Sequence, residues 1–261
     1  MGDEQSSRMK IIKQGAEEIR NSNLLSDTFA TIALEDIDAC QYVIRKILGM
    51  DDLKIVEVKG QYRLLNMTAK DAILDAFAQD STGRLINVEI QRRDTVDHAR
   101  RTRYYGSMID KGSLDKGVEY EELPDVYIIY ISETDIWKAG KTVYQVNKTL
   151  GETGIPYDDG SHVIFVNAAV DDGSEIAKMM QYFKTADPDD MSQGELSKRV
   201  NFLKSEKGGY ETMCEAAEKI YNQGREQEKK NTARKLQQKG NTIADIADLL
   251  EVSEKQVEEW L

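Results

Sequence analysis

Apolar and polar positions along the 261-residue chain change period several times, and each change predicts an element. Residues 1–25 are polar and mixed in charge, which predicts a loose arm holding one short helix. From Asp27 onward, Phe29, Ile32, Ala33, Ile37, Cys40, Val43, Ile44, Ile47 and Leu48 recur at helical spacing, and Gly49 stops the run. This predicts one helix with one buried face. Three strand-like runs follow, over residues 53–64, 71–79 and 85–91. Between the last two, Asp80-Ser81-Thr82-Gly83-Arg84 reads as a hairpin turn, with glycine where positive φ is needed. Residues 95–114 predict a second helix rich in arginine and tyrosine. Residues 126–131 and 162–167 are near-continuous apolar runs, the pattern of buried strands, and 144–146 fits a short edge strand. Helices are expected over 171–185, 192–207 and 210–239, then two short ones in 242–261 around Glu251-Val252-Ser253. The order helix, three strands, helix, strand suits an α/β fold: a meander, then a crossover to a fourth strand.

Composition narrows the class. Hydrophobic residues make up 40% of the chain, enough for a proper core, and the 31% charged residues point to exposed helices. Acidic residues number 47 against 35 basic, a net −12. That balance argues against whole-surface attraction to DNA or to an acidic membrane, yet it permits a local basic groove and a carboxylate cluster that needs a cation. Cys40 and Cys214 form no metal or redox motif and read as free thiols in a reducing compartment. No apolar run approaches the roughly 20 residues that cross a bilayer, and the first ten residues lack a signal-peptide core, so a cytoplasmic protein with no membrane partner is expected.

The hairpin holds the candidate chemistry. A turn symmetric about Thr82 sets Asp75 directly opposite Glu89, Ile73 opposite Gln91 and Phe77 opposite Asn87. The other face is wholly apolar: Leu74, Ala76 and Ala78 against Ile90, Val88 and Ile86. Two carboxylates facing across a strand pair have Cβ atoms about 5 Å apart and repel each other. A proton relieves that repulsion by raising one pKa; a hard divalent cation relieves it better. Solvated acids on an open sheet face would need neither. The apolar neighbours Ile73 and Phe77 argue instead for a half-covered face.

Asp75 followed by Glu89-Ile90-Gln91, set in helix, three strands, helix, strand, resembles the PD-(D/E)XK nuclease core. Residues 29–135 resemble the branch formed by the PD-(D/E)XK family transposases and the recombination-promoting (Rpn-like) nucleases, with looser similarity to about residue 211. The resemblance implies a PD-(D/E)XK restriction-endonuclease-like core, αβββαβ with a mixed sheet flanked by helices, and a small helical C-terminal tail. Together with the patterning of both ends, the expected organisation is a polar arm over 1–26, the nuclease-like domain over 27–210, a basic connecting helix over 211–240 and a tail over 241–261 whose pattern resembles a helix-turn-helix. The resemblance further implies that Asp75, Glu89 and Gln91 are catalytic. Asp75, Glu89 and the backbone carbonyl of Ile90 would ligate Mg²⁺, with Mn²⁺ as a substitute. Gln91 stands where the family name expects lysine; an amide can position water but adds no positive charge. The family often adds an acid from the first helix, for which Glu35 and Asp36 are the candidates and Asp36 the preferred one.

Basic residues cluster after the hairpin. Residues 84–103 hold six arginines against three acids, a local +3. Arg101, Tyr104 and Tyr105 share one helix face, so the arginine can clamp a phosphate while the tyrosines pack or hydrogen-bond beside the strand. Surface ion pairs and core tyrosines are the competing reading. Arg101, Arg93, Tyr104 and Tyr105 are the expected DNA contacts. His98 and His162 make no zinc pattern. Residues 219–239 carry seven basic residues against two acids, whereas 241–261 carry six acids against Lys255. The expected recognition helix bears Glu254, Glu258 and Glu259, which suits packing or homodimer formation better than groove reading, while the preceding basic helix can still touch DNA. The expected function is metal-dependent endonucleolytic cleavage of DNA linked to recombination or a transposable element. The alternatives are an inactive nuclease-fold module that binds DNA or protein, and an RNase.

Overall fold

The computed structural model describes residues 2–64, 72–92, 96–114, 117 and 119–261. Arg93, together with Asp71 and Thr95 at the expected starts of a strand and a helix, lies outside the described residues. The chain divides into two compact units: Ile19–Tyr210, and Met1–Glu18 with Glu211–Leu261.

The larger unit is built on a six-stranded sheet. Helices α2 (Asp27–Leu34) and α3 (Ile37–Leu48) precede strands β1 (Ile55–Leu64), β2 (Ala72–Asp80) and β3 (Leu85–Gln91). Helix α4 (His98–Ser113) leads to β4 (Val126–Ser132), followed by β5 (Val143–Gln145), the small hairpin β6 (Thr149–Leu150) and β7 (Ile155–Pro156), and β8 (Ser161–Asn167). Helices α5 (Glu175–Thr185) and α6 (Gly194–Ser205) complete the unit. Sheet order is β1-β2-β3-β4-β8-β5. The first three strands are antiparallel, β3, β4 and β8 run parallel, and β5 is antiparallel to β8. A mixed sheet arises because the β2–β3 hairpin needs only a tight turn, whereas the parallel step from β3 to β4 needs the α4 crossover. This is the architecture of a PD-(D/E)XK nuclease-like fold. The β6–β7 hairpin has only two residues per strand, too few for a periodic signal.

Burial follows the alternation. Ala72, Leu74, Ala76 and Ala78 on β2 are buried, as are Ile86, Val88 and Ile90 on β3. Strand β4 is buried along its whole length, as its unbroken apolar run requires of a strand covered on both faces. On the α4 side, Phe77, Tyr104 and Tyr105 pack against a cluster containing Leu85, Met108 and Ile109.

Two expectations need correction. The run from 27 to 48 is not one helix. Asp36 takes an extended conformation and accepts the Ala39 N–H at 3.0 Å, so it caps α3 and breaks the run. The apolar period continues across the break because both pieces face the same core, which hides the break from pattern reading. The N-terminal segment is not a loose arm but the 19-residue helix α1 (Gly2–Arg20), with Ile12, Ala16 and Ile19 buried.

In the smaller unit, α1 contributes Arg8, which pairs with Glu218 of α7 (Lys207–Gln238). Helices α8 (Ile243–Leu250) and α9 (Glu254–Trp260) pack Ile246, Ala247, Val257 and Trp260 around Ala233 of α7. Both short helices start with a capping box, Thr242 with Asp245 and Ser253 with Gln256. Among the described residues, no helix is long and apolar enough to cross a membrane.

Candidate active site

The hairpin turn fixes the register. Gly83 sits at φ 93°, and the Asp80 carboxylate accepts the backbone N–H groups of Thr82 and Arg84, each at 2.9 Å. The ladder pairs Phe77 with Asn87 and Ala76 with Val88, the register expected for a turn centred on Thr82. Asp75 and Glu89 lie one step beyond the last paired residues. There the Asp75 side chain replaces the ladder bond, its Oδ2 accepting the Ile90 N–H at 2.8 Å. The β1 residue between the pairs Gly60–Ala76 and Tyr62–Leu74 is Gln61, at φ 45°. Left-handed backbone in a non-glycine residue is strained, and here it stands across the strand from Asp75.

Glu89 is almost fully buried and Asp75 half-buried. One Glu89 oxygen, Oε1, accepts the Tyr105 hydroxyl at 3.0 Å and lies 3.7 Å from the Arg101 guanidinium. The other, Oε2, is buried with no hydrogen-bond partner among the described residues. Burial pushes the Asp75 carboxyl up to about 7, against the Ile90 N–H bond that lowers it, with the Asp27 charge raising it further. Burial likewise pushes Glu89 up to about 8, reinforced by the Asp75 charge and opposed by Tyr105 and Arg101. Tyr105 is itself raised, by burial and then by the Glu89 charge. The unpartnered oxygen and the two raised carboxyls have one cause: negative charge concentrated in a poorly solvated place. Such a place takes up a proton or a cation.

Arg101 supplies the positive charge that glutamine cannot. Its guanidinium donates to Gln91 Oε1 at 2.8 Å while standing near Glu89. Gln91 is therefore an orienting acceptor, and the cation arrives from α4, one helix turn before Tyr105. Tyr104 is half-buried and packs with the apolar cluster beneath α4, whereas Tyr105 reaches the carboxylate. The structure thus gathers Asp75, Glu89, Gln91, Arg101 and Tyr105. Asp36 is not among them: as the α3 cap it acts electrostatically on Cys40 and Arg199. The helix-borne acid whose charge reaches both hairpin carboxyls is Asp27, in the first turn of α2. Sequence reading passed over Asp27 because it opens the apolar run, where an acid reads as an ordinary first-turn residue. Among the described residues, no three His, Cys, Asp or Glu side chains converge closely enough to hold a metal on their own.

The fold and the paired carboxyls define a nuclease-like protein of the PD-(D/E)XK class. The family model for PD-(D/E)XK nuclease family transposases matches residues 44–247, and the chain belongs to that family. Searches of curated proteins and of solved structures return no match. Membership supports a nuclease or transposon-related function.

Proposed function

We propose that this protein is a DNA endonuclease that hydrolyses phosphodiester bonds with Mg²⁺, or Mn²⁺ in its place, in recombination or the movement of a transposable element. The observation that carries the reading is the Asp75–Glu89 pair, poorly solvated, with Glu89 Oε2 unpartnered among the described residues and Oε1 3.7 Å from the Arg101 guanidinium. Two carboxylates in that state fit a hard divalent cation, and the Ile90 carbonyl is the proposed third protein ligand. When bound, such a cation polarises the scissile phosphate and lowers the pKa of an attacking water. The side chains divide the remaining work. Tyr105 holds Glu89 in place through its hydroxyl, and the backbone N–H of Ile90 holds Asp75. Gln91 aims Arg101, whose guanidinium also stands 3.7 Å from Asp97, and its charge would stabilise negative charge that grows on a phosphate oxygen during cleavage. Asp27 adds negative potential that favours the cation.

The test is nicking of supercoiled plasmid by the purified chain in Mg²⁺ or Mn²⁺. Asp75→Ala and Glu89→Gln should each lower the rate by more than about 100-fold, and Arg101→Ala by about 10²–10³-fold, the cost of removing a transition-state donor. Cleavage that survives both carboxylate substitutions places the activity elsewhere. No metal-dependent nicking by the wild-type chain, with DNA still bound, favours the non-catalytic binding module. Preference for RNA over DNA in competition identifies an RNase.

A further inference from the structure

Beyond the carboxylate pair, the same face of the sheet carries an aromatic arrangement that phosphate hydrolysis alone does not use. Tyr130 on β4 lies beside Glu89 in the parallel register, and Phe165 on β8 lies beside Tyr130. The His98 ring, at the start of α4, stands 6.5 Å from that of Tyr130 and 6.0 Å from that of Phe165. Trp137, on the loop after β4, lies nearly perpendicular to the His98 ring at 4.9 Å and to the Phe165 ring at 5.3 Å. Unlike the rings beneath it, Trp137 is 43% exposed.

The loop that presents it is stiff. Asp135 accepts the backbone N–H groups of Lys138 and Gly140, each at 3.0 Å, and the Tyr144 hydroxyl at 2.7 Å. The Tyr144 oxygen in turn accepts the N–H groups of Ala139 and Lys141. Lys138 takes φ 54°, a left-handed conformation that this network holds in place. A rigid exposed indole, with the exposed Lys138 and Lys141 beside it and Arg101 one helix turn from His98, has the parts of a nucleic-acid stacking site: a π-face for a base and cations for the backbone.

We propose that Trp137, seated on His98 and Phe165, stacks against an unpaired nucleobase next to the phosphate held at Asp75 and Glu89, so that the preferred substrate is single-stranded or carries a flipped base there. This rests on the nuclease reading of the site. An indole face needs an exposed base face, which paired and stacked duplex DNA does not offer.

The test is binding of single-stranded oligonucleotides to the full-length protein in Ca²⁺, scored together with tryptophan fluorescence. Binding should quench the emission, and the quench should be absent in Trp137→Phe. Trp137→Ala should weaken binding about 5–150-fold, the range that stacking supplies per base, with Trp137→Phe recovering most of it. An abasic site walked along the oligonucleotide should erase the difference between wild type and Trp137→Ala at one position only, a readout that loop damage does not produce. If binding depends on Arg101 but is indifferent to Trp137, with no quench and no abasic position, the platform is refuted and the nuclease reading stands. If no nucleic acid binds and none is cleaved, both fall.

Discussion

Glu89 and Asp75 carry a linkage that pH exposes. Both are raised in the folded chain above the ordinary carboxylate range, to about 8 and about 7, chiefly by burial. Between that ordinary range and about pH 8 the folded state therefore binds more protons than the unfolded one, and stability falls as pH rises. Below the ordinary range both states are protonated and the penalty vanishes. Above about pH 8 the folded chain bears the full cost of two close charges. Without divalent ions, the wild-type melting temperature should drop by several degrees between about pH 5 and about pH 9. The drop should be smaller in Glu89→Gln, which keeps the shape and removes one charge. Saturating Mg²⁺ should restore the wild type at the alkaline end and leave Glu89→Gln nearly unmoved, because a ligand that binds only the folded state stabilises it. Identical pH profiles for the two proteins would mean that the pair is relieved by solvent, not by a cation. Thermal unfolding in chelator and in Mg²⁺ reads all of this.

The β2–β3 hairpin is legible in the sequence down to the residue, for a local reason. Strict alternation assigns each side chain to a face, and a short turn ending in glycine leaves no freedom of register. Those two rules are enough to pair Asp75 with Glu89. They do not reach the helical acids, because helical period says which face a residue occupies and nothing about where the helix begins. Asp27 and Asp36 both flank the apolar positions of one continuous pattern. Only the break between α2 and α3 shows that Asp36 commits its carboxylate to the Ala39 N–H while the Asp27 charge reaches the pair. Gln91 is legible as a departure from lysine, but its partner Arg101 arrives on the α4 crossover helix, and no spacing rule joins a strand residue to a helix that folds back over it. Two substitutions separate the acids. Asp36→Ala should cost about 1 kcal/mol of stability, the worth of an N-cap, and leave Mg²⁺ affinity alone. Asp27→Asn should leave stability alone and weaken Mg²⁺ binding several-fold. Calorimetric Mg²⁺ titration beside thermal unfolding decides, and the reverse pattern would return Asp36 to the metal.

Charge over the whole molecule sets how it meets a polyanion. A chain of net −12 draws no general attraction from DNA, so affinity must come from a few local contacts. Two basic stretches compete for that role. The seven basic residues of 219–239 look stronger, but the structure commits several of them. Lys229 donates to the Leu250 carbonyl, Arg234 to that of Trp260, and Lys230 pairs with Glu226. The two helices packed on that stretch and the turn between them carry six acids, so residues 219–261 hold eight basic and eight acidic residues and cancel at long range. Around the site, Arg92, Arg100, Arg101 and Arg103, with Lys138 and Lys141 beside Trp137, give six candidate phosphate partners among the described residues. Each neutralised phosphate contributes about −0.7 on single strands, or about −0.9 on duplex, to the slope of log affinity against log salt, so the slope should be no steeper than about −4 or about −5 respectively. Changing the exposed Arg100 and Arg103 to glutamine should flatten it by about one for each phosphate no longer neutralised. The same change at the exposed Arg225, Lys235 and Lys239 should leave it unaltered. A slope near about −7 that the α7 substitutions flatten would make the C-terminal unit a second DNA-binding surface, and affinity measured over a salt series in fixed Ca²⁺ distinguishes the two.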